Sequence, residues 1–168
     1  MSESARALLN RELENNAWAT EQLLMACERL DSSEFEKEFP IGLGSLGVTL
    51  RHIVGALDHW GDRLHPDEPD PVGNSNNDNR SASELRVDLM RADEKLRAAI
   101  ERILATDAIE DMMDFTVSDG QVFSFTRGSA IVHILSHGVH HRAQCLWMLK
   151  QLGAELPELD PITMELEQ

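Results

Sequence analysis

The feature that most restricts the fold of this chain is the return of apolar residues at three- and four-residue steps in four separate segments. That spacing lines one face of an α-helix and cannot line one face of a strand. Between about residues 3 and 30, Leu9, Leu13, Ala17, Leu24 and Cys27 alternate with Glu, Asn and Arg, which predicts a first amphipathic helix. From about Ser45, a second carries Leu46, Leu50, Ile53, Val54, Leu57, Trp60 and Leu64 before Pro66 stops it. In "SASELRVDL", Ser81 and Glu84 form a capping-box pattern, in which each side chain satisfies the other residue's free backbone N–H. A third helix begins there and continues through Leu85, Leu89, Leu96, Ile100 and Leu104. The last runs from about Ser129 to Leu152 and ends at Gly153, a residue type that often caps helix C-termini.

Between the helices, "DSSEFEKEFPIGLG" reads as a connecting loop. "HPDEPDPVGNSNNDNR" is too rich in Pro, Asn and Asp to build a packed core and reads as a surface loop. In "MMDFTVSDGQVFSFT", Asp119-Gly120 sits between β-formers, which predicts a short β excursion or extended loop before the last helix. With no strand series and no internal repeat, the fold class is all-α, a four-helix bundle in one domain spanning residues 1–168. Long crossovers between the first and second helices and between the third and fourth leave an up-down-up-down order undetermined.

Charge narrows the function classes. With 15 Lys and Arg against 30 Asp and Glu, the net charge of −15 counts against nucleic acid, whose binders gain affinity by neutralising phosphates. It also disfavours anionic membrane surfaces, and no apolar run approaches the roughly 20 residues of a spanning helix. The acidic N-terminal stretch has no apolar core of a secretory signal, so a cytoplasmic setting is expected. Cys27 and Cys145 lie far apart within helical patterns and read as packed, reduced thiols. Trp18, Trp60 and Trp147 read as core or interface anchors.

The chemically informative stretch is "HILSHGVHHRAQ", residues 133 to 144, which holds four of the seven histidines. His137 and His141 are an i, i+4 pair, the spacing by which one helix offers two imidazoles to one metal ion. His133 with His137, and His137 with His140, have competing spacings, but the helical wheel separates them. An apolar stripe centred on Ile131, Leu135, Leu146 and Leu149 is bordered by His141 with His137 beside it, while His133 and His140 point almost opposite. His133 and His141 lie about 12 Å apart along the axis, too far to share an ion. A third ligand must come from another helix, with His52, His59, His65 and many carboxylates as candidates. His52 falls nearly opposite the Leu50, Val54 and Leu57 stripe, on a side made of Ser45, Thr49, Ala56 and His59. That side is either plain solvent surface or a face whose small side chains leave room for a ligand and a substrate.

Together, "SLGVTLRHIVGALDHW" in the second helix and "HILSHGVHHRAQ" in the last, with "NAWATEQLL" and "LRVDLMRADEKLRAAI" in the first and third, resemble the DinB-like family over nearly the whole chain. The resemblance implies a four-helix bundle in which one histidine of the second helix and two of the last bind a divalent metal, often zinc or nickel. Carried onto this chain, the implied ligands are His52, His137 and His141. Many members have Gly where this chain has Ala143, a small change that helices favour.

Three neutral imidazoles would leave a divalent ion its charge and an open position, the arrangement of catalytic zinc. The resemblance implies thiol S-transferase or isomerase chemistry with a small cellular thiol such as bacillithiol, mycothiol or glutathione, or a hydrolase. The leading expectation is therefore a metal-dependent enzyme that turns a small thiol or water against a small electrophilic substrate. Its alternative is a non-catalytic metal-binding or stress-response bundle whose histidine face serves sensing or a homodimer interface. His59, Asp58 and loop Glu residues are possible general bases that no spacing singles out, and Arg142 suits a surface ion pair as well as an anionic substrate.

Overall fold

The computed structural model describes residues 2–64, 79–116 and 120–166. Four long helices carry the fold: α1 (Glu3–Cys27), α3 (Leu46–Arg63), α4 (Ala82–Ala105) and α5 (Arg127–Leu152). Two short ones, α2 (Ser32–Phe35) and α6 (Pro161–Leu166), and a 3-10 turn at Ala108–Glu110 complete the helical elements. A hairpin of β1 (Met112–Thr116) and β2 (Val122–Thr126) precedes α5. The expected surface loop after Leu64, with His65, and the Asp119 end of the hairpin turn lie outside the described residues.

Helix starts follow local chemistry. The Ser45 hydroxyl accepts from the Val48 amide at 3.1 Å to open α3, and Ser81 and Glu84 form the reciprocal box that opens α4. α5 begins two residues before the expected start, because the Thr126 hydroxyl accepts from the Ser129 amide at 3.1 Å and caps the helix from within the strand end. It ends where Gly153 turns left-handed at φ 72°. The first connecting loop is a correction: Asp31 and Glu34 form a second capping box, and a one-turn helix, α2, interrupts the expected loop. That pattern was present in "DSSE".

α1 packs on α4 and α5, and α3 packs on the same two, so α1 and α3 face each other across the bundle. The crossover through α2 is what lets consecutive long helices occupy the diagonal. The core between them is apolar and closed, with Leu23, Leu24, Leu50, Leu85, Leu96 and Leu149 each fully buried. Burial of this kind supplies roughly 25 cal/mol per Å² of apolar surface and is the main force holding the helices together. Cys27 and Cys145 are buried free thiols within that core, and Trp60 is a core residue at 8% exposure, whereas Trp147 is 38% exposed and meets Phe39 edge-on at 6.0 Å.

Among the described residues, one buried group is charged. Arg142, 5% exposed, points from α5 toward α1, where Nη1 donates to Asn16 Oδ1 at 2.6 Å, to the Asn16 carbonyl at 3.3 Å and to Thr20 Oγ1 at 3.2 Å. Burial lowers its pKa to about 10, which leaves it charged at neutral pH. It is therefore neither a surface ion pair nor a group open to substrate, and the hydrogen-bonded acceptors on α1 offset the cost of burying it. One turn earlier, Gly138 makes room: a Cβ there would overlap Asn16 Oδ1 and come within 2.7 Å of Arg142 Nη1. The buried line of α5 thus runs through Ile131, Ile134, Gly138, Arg142, Cys145 and Leu149, while Leu135 and Leu146 are only half-buried. Hydrophobicity placed the stripe off-centre because a glycine and an arginine occupy the middle of the buried face.

Gly138→Ala is expected to destabilise the protein by about 1–3 kcal/mol in urea denaturation. The methyl group forces Asn16 and Arg142 apart, and that outweighs the roughly 1 kcal/mol that alanine gains as a helix former. A stabilised variant would contradict the packing of α5 on α1.

Candidate metal centre

The face of α5 next to the Gly138 and Arg142 line carries His137 and His141, and it turns toward α3. There it meets His52. The nearest nitrogens of His52 and His137, both Nε2, are 2.8 Å apart, so one ring donates to the other. The His141 ring lies 4.4 Å from that of His137 and 4.8 Å from that of His52, centroid to centroid. One ligand atom from each of the three lies within 4.8 Å of the others, a group that could hold a metal ion. His52 is the exposed member and the other two are half-buried, so the cluster sits at the bundle surface in contact with solvent.

The side of α3 that looked ambiguous is therefore the side that faces α5. Thr49 and Ser45, on that side, are buried, with the Thr49 hydroxyl donating to the Ser45 carbonyl at 2.6 Å. Among the other candidates, His59 is half-buried two turns along α3 and does not join the converging group. Asp58, considered as a base, instead pairs with Lys95 at 2.6 Å. His133 and His140 are exposed, as the wheel implied, and each touches a cluster member from outside: His133 lies 5.6 Å from His137 and His140 5.1 Å from His141.

Electrostatics favour the neutral form of two of the three rings. Burial, followed by the neighbouring His141, His52, His133 and His140, lowers the pKa of His137 to about 4. Burial and then His141 lower that of His52. Imidazoles held neutral keep a lone pair free, which is the state a metal needs.

One contributor was missed from sequence. Gln144, half-buried on α5, places its amide oxygen 2.9 Å from His141 Nδ1 and its amide nitrogen 2.9 Å from His140 Nε2. An amide oxygen only accepts and an amide nitrogen only donates, so Nδ1 of His141 carries the proton and Nε2 keeps the lone pair. Gly42, at φ 54° in the loop before α3, closes over the amide, and a Cβ there would overlap Gln144 Oε1. Gln144 stands i+3 from His141 and i+4 from His140, a spacing that was visible but has no metal-ligand signature of its own. Such outer partners orient a ligand without touching the ion.

The neutral His137 ring has a cost at low pH. His137 in the unfolded chain takes a proton near pH 6.5, whereas in the folded chain it does so only near 4, so protons bind the unfolded state preferentially between those values. Stability of the metal-free protein is expected to be full above about pH 6.5 and to fall progressively toward pH 4. Thermal melts across that range should show a shallower fall for His137→Gln, which cannot titrate. Identical slopes for parent and variant would contradict the assignment.

Comparison with other proteins agrees with this architecture. A solved structure of a DinB-like protein from Bacillus cereus ATCC 10987 has the same fold at a TM-score of 0.58, covering 88% of this chain and 94% of that one at 18% identity. No curated protein matches the chain. The family profile described as the DinB family matches residues 1–168, and the chain belongs to the DinB family.

Proposed function

We propose that this protein is a metal-dependent enzyme in which His52, His137 and His141 hold a divalent ion, zinc or nickel, and a small thiol or water is turned against a small electrophile. The observation that carries this reading is the convergence of three imidazoles from two helices at the solvent-reached surface of the bundle, with no carboxylate in the converging group among the described residues. An ion bound by three neutral nitrogens keeps its charge and an open position, and supplies acidification of a bound thiol or water toward neutral pH.

The residues of the chain do the positioning. His137 stays neutral because burial, and after it the neighbouring imidazoles, disfavour its protonated form. Gln144 holds His141 in the tautomer that presents Nε2. The thiol must come from outside the chain: burial pushes the Cys27 thiol up to about 12 and raises Cys145 as well, which leaves both as unreactive thiols. For an S-transferase, a low-molecular-weight thiol as co-substrate fits that constraint.

Elemental analysis of untagged protein purified without chelators is expected to find near-stoichiometric metal in the parent and little in His141→Ala. Gln144→Leu should keep the fold and lose about 10–100-fold in metal affinity, as for other outer partners of a ligating histidine. With metal bound, added azide or a small thiol should shift the spectrum of a cobalt-substituted sample, which reads the open position directly. A parent that holds no metal, and takes up none from added zinc or nickel, would end the enzyme reading.

A further inference from the structure

The hairpin before α5 encloses a second feature that the histidine cluster does not use. Its register pairs Phe115 with Phe123 and Met113 with Phe125, so these four side chains share one face of the ribbon. Phe115 and Phe125, half-buried, rest on Trp60 of α3, with ring centroids 5.5 and 6.2 Å away. Between the ribbon and the bundle lies a cavity of about 410 Å³ lined by Trp60, Phe115, Phe123, Phe125, Ala130, Ser129 and His133. Four of those seven residues are aromatic, and the polar groups, Ser129 and His133, both come from the first two turns of α5.

We propose that this cavity binds the planar apolar part of a small uncharged molecule and presents its remaining end to the three-histidine cluster. The volume lies within the roughly 300–1,000 Å³ of small-molecule sites, and an apolar wall with a few polar groups to one side is their usual make-up. Aromatic walls favour a flat guest, because offset stacking and edge contacts add to simple burial. Among the described residues the lining holds no Lys, Arg, Asp or Glu, with the Arg63 guanidinium outside it and 4.0 Å over the Phe115 ring, so a charged group seated in the cavity would lose hydration with no ion-pair partner in its walls. His133 connects the two: its ring lies 5.6 Å from that of Trp60 and 5.6 Å from that of His137. A guest seated on Trp60 therefore reaches the ring of His133, the lining residue that adjoins the cluster. As a substrate site, this rests on the proposed enzymatic reading; as a binding site, it does not.

The test is calorimetric titration of 1-naphthol, a flat and neutral probe, into the full chain with metal content measured on the same samples. Three variants accompany the parent. Phe123→Ala removes a wall residue that is 51% exposed and little involved in the core. Ser129→Phe fills the cavity from the first turn of α5 with a residue of similar helix propensity. Val132→Phe adds the same ring at a site 63% exposed and outside the lining. Saturable one-to-one binding by the parent and by Val132→Phe, at least tenfold weaker in Phe123→Ala and lost in Ser129→Phe, would support the site. Absence of saturable binding by the parent, or equal binding by all four proteins, would overturn it. Metal-replete parent that fails to bind the probe overturns the cavity alone. Binding by a parent that takes up no metal supports the cavity while the enzyme reading falls.

Discussion

Arg142 carries its charge into the bundle at 5% exposure, and its hydrogen bonds to Asn16 and Thr20 decide how α5 is rotated. A buried guanidinium is tolerable only where acceptors meet it, because an unsatisfied charge in the core costs several kcal/mol. Those acceptors are on α1, so the Gly138 and Arg142 line must face α1. Successive residues of a helix are about 100° apart, which leaves His137 and His141, each one position earlier, on the adjoining face. α3 packs there, and His52 meets them.

The cluster depends on that orientation and adds constraints of its own. Burial, and after it the neighbouring rings, hold down the affinity of His137 and His52 for protons. Gln144 then selects which nitrogen of His141 stays bare, and Gly42 leaves space for its amide. Two helices and one loop thus share the positioning. Through Trp60 and His133, the aromatic face of the hairpin is in ring contact with His137.

Much of this was legible residue by residue. The His137 and His141 pair could be chosen over His133 and His140 because all four lie on one helix, where spacing converts directly into angle. His52 could not be placed in that way. Its helix has polar and small residues on the histidine side, a pattern shared by solvent-facing surfaces and by clefts, and only the family resemblance named it. The buried line of α5 was misplaced onto Leu135 and Leu146 because hydrophobicity cannot recognise a glycine that admits a neighbour or an arginine whose acceptors lie more than 120 residues away in sequence. α2 was missed although Asp31 and Glu34 were readable as a box, because the Pro and Gly residues that follow suggested irregular chain.

By itself the sequence determined what depends on near neighbours along the chain: four helical segments, their caps, the hairpin, and the pair of histidines one turn apart. These follow from backbone hydrogen bonding and side-chain periodicity within a few residues. Only the tertiary structure decided what depends on helices meeting, namely the diagonal arrangement of α1 and α3, the burial of Arg142 against α1, the approach of His52 to His137, and the aromatic cavity under the hairpin. Those contacts join residues far apart in the chain, and the complementarity of two packed surfaces has no period that either segment displays alone.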